Sequence, residues 1–392
     1  MPNPTASVLN HISPERILRR ATAICEIPSP TRSAHDAANR LAGLLSEAGF
    51  KVERPDADWP ESPAVVARLE SGKPGPCLQF TGHLDTVHLP FVPPTFDGAV
   101  LRGSGVSDMK GGLAAAAEAA LALAESGALT AGSVLFTAYD HHEGPWGDSR
   151  QLHGLIAAGI HGDAALIPEY LADRLPLAGR GLAIFQSTLS RDGVPVHEVF
   201  RGACPDLTGA GSAMVLALNE LNATLQSRTH PIAGTASCFV GHIASGEIYN
   251  QAPSICHVHG TRRWLPGESS EAVRDDFLRR VQEVADRYGA TLDAGYRIQR
   301  DAFELDPEHA LVKSFAASYA EATGGGTLPI GAKPFVDDGN TLWGRARVPA
   351  VTHGPAAHGA HTTEEWVPLA ELVRVAHVYA LTALRFTGSA PA

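Results

Sequence analysis

An apolar run that closes on Thr81-Gly82-His83-Leu84-Asp85-Thr86-Val87 sets an imidazole and a carboxylate two residues apart at a predicted strand end. Residues two apart on a strand face the same way, so Asp85 can orient the His83 ring while His83 binds a metal ion. Four more clusters offer related chemistry. Gly103 to Gly112, GSGVSDMKGG, holds Asp108 in a glycine-punctuated loop before an Ala-rich stretch, where a carboxylate can bridge two cations or cap the following helix. Ala138 to Gly147, AYDHHEGPWG, packs Asp140, His141, His142 and Glu143 together; neighbours at a strand end face opposite sides, so one imidazole can ligate metal while the other faces a substrate water. Ile167-Pro168-Glu169-Tyr170 puts Glu169 at another strand end, and HGPAAHGAHTTEEW carries His353, His358 and His361 ahead of a terminal helix. This mixture of imidazole and carboxylate at the ends of several strands suits zinc, manganese or cobalt.

The elements that must position these groups follow from periodicity. Helical patterns at Ser13 to Ile24 and Ser33 to Ala48 precede strand-like runs at Ala64 to Leu69 and Cys77 to Thr81. The Ala-rich helix, a strand at Ser133 to Tyr139, a helix at Ser149 to Ala158 and a strand at Ala164 to Pro168 come next, an alternation that predicts a largely parallel sheet covered by helices on both faces. From Gly181 the order becomes strand, helix, strand, strand, helix, strand, the split pattern of a ferredoxin-like α+β unit. The chain then returns to helix, a short strand Ala350 to His353 and a last helix Pro368 to Thr387. The reading is an α/β fold: residues 1–180 and 300–392 form a metal-binding catalytic domain, interrupted by an α+β domain over residues 181–299.

A chain of 392 residues fits two domains of roughly 100–200 residues each. The net charge of -11, with Lys and Arg never concentrated, excludes a phosphate-neutralising nucleic-acid binder. Five scattered cysteines without a Cys-x-x-Cys pair suggest neither a disulfide framework nor a thiolate metal site, and point to a reducing compartment. The first twenty residues lack the apolar core of a signal peptide, and the Leu113 to Ala124 run is far shorter than the ~20 residues a membrane span needs. The expectation is a cytoplasmic protein with no membrane association.

In order and wording, the motifs resemble the M20 metallopeptidase family of aminoacylases, glutamate-releasing carboxypeptidases and succinyl-diaminopimelate desuccinylases. GHLDTV, GSGVSDMKGG and AHTTEEW are the specific parts. The resemblance implies a zinc-exopeptidase-like catalytic domain holding one or two divalent ions (Zn, Mn or Co) and an inserted lid that mediates assembly into a homodimer or larger homo-oligomer. Carried over by position, His83, Asp108 and Glu169 hold one ion, and Asp108 bridges to a second held by His361 and the residue at His142. His197 in GVPVH corresponds to a family histidine that polarises the scissile carbonyl. Asn250, with Arg263 or its neighbour Arg262, holds the substrate carboxylate, a task suited to a guanidinium fork. The chain departs from the family where Asp-Glu-Glu-x-Gly is usual: Asp140-His141-His142-Glu143-Gly144 replaces both glutamates, the first a general base and the second a metal ligand. His141 or Glu143 then takes the water's proton.

These readings predict a metal-dependent hydrolase that cuts the C–N bond of a small carboxylate-bearing substrate such as an N-acyl amino acid. A hydrolytic deaminase of an aromatic amine such as an aminobenzoate, and a non-catalytic metal- or ligand-binding protein, are the alternatives.

Overall fold

The computed structural model describes residues 4–390. The chain divides into two units: Met1–Leu177 with Leu305–Gly331 and Asp337–Ala392, and Ala178–Glu304 with the short return Ala332–Val336.

The first unit is built on a six-stranded sheet in the order Val52–Glu53, Val65–Glu70, Ser133–Tyr139, Cys77–His83, Ala164–Ile167, Ala350–Thr352. Cys77–His83 pairs in parallel with strands on both sides, with His83 opposite Tyr139, and Ala350–Thr352 pairs in parallel with Ala164–Ile167. Four strands therefore end at one edge, delivering His83, Asp140 and Pro168 to it. These strands are buried along almost their whole length, which explains why they read as continuous apolar runs. The sheet departs from the parallel expectation at Val65–Glu70, which runs antiparallel to both its neighbours. Its link to Cys77, the strand on the far side of Ser133–Tyr139, spans only residues 71–76, too short for the crossover of a dozen or so residues that would return the chain in the same direction.

The Ala-rich stretch forms the helix Lys110–Ser126, which packs against Pro14–Cys25 and Leu369–Phe386. Small side chains allow that close approach, and Lys110 through Leu123 are all buried. Glu118 lies inside this layer with no exposed side-chain surface and is ion-paired to Arg16 at 2.7 Å and to Arg20. The helix Asp338–Ala346 has no counterpart in the sequence reading. Asp337 caps it by accepting from the Gly339 N–H, and Asn340 completes a capping box.

In the second unit, Ser237–Ser245, Ile255–Trp264 and Gly181–Ser190 form an antiparallel sheet with Thr291–Asp293 and Tyr296–Arg300. The helices Leu207–Leu225 and Ser270–Tyr288 cover one face, burying Phe185, Leu189, Met214, Val258 and Phe277. The last strand of the expected pattern is split into Thr291–Asp293 and Tyr296–Arg300, with Gly295 between them at a φ of 53°.

Candidate metal centre

His83 is fully buried, and its Nδ1 hydrogen-bonds the main-chain oxygen of Asp85 at 2.8 Å. That bond places the ring proton on Nδ1 and leaves the Nε2 lone pair for a ligand. Nε2 lies 3.3 Å from Asp108 Oδ1 and 3.6 Å from Glu169 Oε1. The other oxygen of Asp108 lies 3.0 Å from His361 Nε2, which is 3.2 Å from Glu143 Oε1. Asp108 thus presents one oxygen to each of two imidazoles.

His142 stacks on His83, with centroids 4.0 Å apart and planes 11° from parallel, and its Nε2 is 3.6 Å from Glu169 Oε1. Its Nδ1 lies 2.9 Å from Asp338 Oδ2, and the Tyr139 hydroxyl donates to that same oxygen at 2.9 Å. Among the described residues, ligand atoms converge in two groups: His83, His142 and Glu169, and His83, Asp108 and Glu143.

These donors fit a divalent metal pair. His83 Nε2 and Asp108 Oδ1 are both buried and make no hydrogen bond although they face each other, an arrangement that needs a proton or a cation between them. Burial and the charge of Asp108 push Glu169 up to about 7, and the same two causes raise Glu143. Burial alone would raise Asp108 too, but its contacts with His361 and His83 hold it well below the usual carboxylate range. His361 is lifted to about 10 by Asp108 and Glu143. His83 also rises, because Asp108 and Glu169 outweigh its desolvation.

Two further carboxylates set the loops. Glu365 accepts from the N–H groups of Ser107 at 2.7 Å, Asp108 at 2.8 Å and Gly105 at 2.8 Å, and from the Ser107 hydroxyl at 2.9 Å. The chain segment that carries His361 is thereby tied to the one that carries Asp108. Asp85 accepts from the N–H of His142 at 3.1 Å and of Glu143 at 2.8 Å. Gly354 allows the closing loop to pass the Glu169 segment, since a Cβ there would meet Glu169 O at 2.3 Å.

The placements correct the sequence expectation at three points. Asp85 was expected to orient His83 with its carboxylate; its carbonyl oxygen does so, while the carboxylate, 3.6 Å from Nδ1, accepts from the His142–Glu143 backbone. His141 was expected beside the reacting water. Its backbone turns to a φ of 72°, and its ring packs edge-on against Trp59 at 4.4 Å and lies 3.4 Å from Asp148. His142 was expected beside Asp108 and His361, but Glu143 occupies that place and His142 lies against His83 and Glu169. The left-handed turn at His141 explains the shift, since it moves both following side chains one position along.

The remaining loop histidines lie outside the cluster: His353 is buried against Phe315 and Tyr319, and His358 stacks on Trp366. In the second unit, exposed His197 lies 3.1 Å from the Asn250 amide nitrogen. Arg262 is buried and donates to the carbonyls of Ser237 and Arg263, while strand alternation turns Arg263 to the opposite face. Asp338 and Glu365 were missed as site residues. Glu365 stands four positions after His361 in the same motif, a usable signal, whereas Asp338 reads only as part of a polar turn.

The model of peptidase family M20/M25/M40 matches residues 79–385. The chain belongs to this family. It is 29% identical to a succinyl-diaminopimelate desuccinylase of Methylobacterium sp. (strain 4-46), over 92% of this chain and 94% of that one. The fold matches aminopeptidase PepT from Bacillus cereus with a TM-score of 0.77 at 18% identity, covering 96% and 99% of the two chains. A dinuclear metal-binding M20 peptidase from Bacillus subtilis matches with a TM-score of 0.66 at 16% identity, covering 96% and 99%. This M20 member is a hydrolase acting on carbon–nitrogen bonds. No helix among its described residues is long and apolar enough to cross a membrane.

Proposed function

We propose that this enzyme hydrolyses the amide bond of an N-acyl amino acid or a similar small amide bearing a free carboxylate, with two divalent ions held around Asp108. The observation that carries this reading is the position of Asp108 between His83 Nε2 at 3.3 Å and His361 Nε2 at 3.0 Å. His83 and Glu169 would hold one ion, and His361 and Glu143 the other. Zinc, manganese or cobalt bound there supplies Lewis acidity that acidifies water and polarises the carbonyl.

The family's Glu-Glu pair, base then ligand, maps onto His142-Glu143 once the turn at His141 is taken into account. His142 then accepts the water's proton at Nε2 and passes it to the leaving nitrogen, while Asp338 and Tyr139 fix its tautomer and stabilise its charged form. On this reading only one of the two family glutamates is replaced, where the sequence alone suggested both. The resemblance further assigns the oxyanion to His197 and the substrate carboxylate to Asn250 and Arg263, with assembly of copies through the second unit.

The histidine at the base position favours one other reading, hydrolytic deamination of an aromatic amine such as an aminobenzoate. Both are tested on one panel of N-acyl amino acids and amino-aromatic acids, with metal content measured alongside turnover. A new carboxylate and a free amine support the amidase. Ammonia release with a new hydroxyl supports the deaminase, and full metal loading with no turnover favours a binding protein. The His142→Ala variant loses roughly 10²–10⁴-fold in kcat with its metals retained, whereas Glu143→Ala loses an ion. The reverse pattern refutes this assignment.

A further inference from the structure

Three histidines stand together on the face of the second unit's sheet turned away from its helices, and nothing in the proposed chemistry uses them. His257 and His259 lie two apart on Ile255–Trp264, while Cys256 and Val258 between and beside them point into the core. On the neighbouring strand the register jumps between Val240 and His242, so that His242, and not Gly241, lies directly opposite His259. This bulge is what brings a third imidazole to the same face. The ring centroids of His242 and His259 are 5.2 Å apart, and those of His257 and His259 are 5.6 Å apart.

We propose that His242, His257 and His259 form a site for a divalent transition-metal ion of the zinc and copper type, separate from the centre at Asp108. Two imidazoles from one strand in an His-x-His pattern, with a third directly across, give a three-nitrogen face and leave a fourth position open to water, a donor set that suits borderline ions better than magnesium or calcium. Thr188 Oγ1 lies 3.1 Å from His257 Nδ1, which fixes that ring and leaves Nε2 to ligate, as outer partners do for metal-bound imidazoles. The residues paired with these histidines, Gln186, Thr188 and Ala244, are uncharged. Partial burial and the two neighbouring imidazoles push His259 below its ordinary value, which favours the neutral form that can ligate. As placed, the nitrogens do not converge as closely as the ligand atoms of the two groups that share His83. Histidine χ2 is a broad torsion, so the site closes by rotation of the exposed His242 ring while Thr188 holds His257.

The inference is independent of the reaction proposed above. The test is equilibrium dialysis of the full chain against zinc, with bound metal counted by mass spectrometry in wild type and in His259→Gln and His242→Gln/His259→Gln. The expected result is one more zinc equivalent in wild type than in either variant, at unchanged thermal stability of the dialysed proteins. Equal zinc content in all three overturns the proposal. Should the variants fold poorly, diethyl pyrocarbonate mapping of wild type decides instead: zinc protection of His242, His257 and His259 supports the site, and equal modification with and without zinc overturns it.

Discussion

The Nδ1 of His142 lies 2.9 Å from the carboxylate of Asp338, a residue that reaches the centre from the first turn of a capped helix. An imidazole held this way presents a defined nitrogen on its other side, and Tyr139 donating to the same carboxylate oxygen fixes that oxygen in turn. Asp338→Asn keeps the shape but removes the charge that favours the protonated ring. Its kcat falls roughly 10–100-fold with KM and metal content near wild type. Steady-state kinetics with metal analysis checks this, and an unchanged kcat would show that the pair is only structural.

Glu365 predicts a different signature. Its carboxylate gathers three backbone N–H groups around Asp108, so Glu365→Ala leaves those donors buried and unpaired and lets the bridging ligand move. Metal affinity measured by titration calorimetry falls at least tenfold, and activity at limiting metal falls with it. Excess metal restores part of the rate.

The pH dependence follows from the raised groups. Glu169, lifted to about 7 by burial and by Asp108, adds stability while protonated, in full below its ordinary ~4.3, and loses it as the pH rises through about 7. His361, lifted to about 10 by Asp108 and Glu143, contributes in full below its ordinary ~6.5 and loses that contribution as the pH climbs toward about 10. Both terms run the same way, while the depressed Asp108 matters only at more acid pH. The metal-free protein therefore loses stability from about pH 5 to pH 9, and cations take over from the protons in the loaded protein. Melting temperatures of the two forms should diverge as the pH rises; convergence would contradict the ligand set.

Glu118 tests the scaffold alone. Removing it leaves Arg20 buried and Arg16 partly buried without their partner, so Glu118→Ala should destabilise by about 3–5 kcal/mol, read from denaturant midpoints. Metal affinity of the protein that remains folded stays at the wild-type value.

The sequence made the scaffold of this centre legible because its strands are buried and end in charged residues: His83 and Glu169 stand where uniform apolar runs stop. The helix Ser270–Tyr288 and the strand Ile255–Trp264 stand in the order expected for the second unit, each having one clear periodicity and a capping or turn residue at its start. The order of His141, His142 and Glu143 was not legible. Alternation assumes extended backbone, and a left-handed residue at His141 breaks it without a glycine to announce the turn. Asp338 was hidden for a related reason, since Asp-Asp-Gly-Asn reads as a turn and only the capping box built by Asp337 and Asn340 starts a helix there.

On the proposed assignment, Asp108 lies between two cations. Crystals soaked in zinc and measured on both sides of the zinc absorption edge test it directly. Two anomalous peaks should flank the Asp108 carboxylate, one against His83 and Glu169 and the other against His361 and Glu143. A lone peak, or a second ion bound by His142 with Glu143 left free, would contradict it.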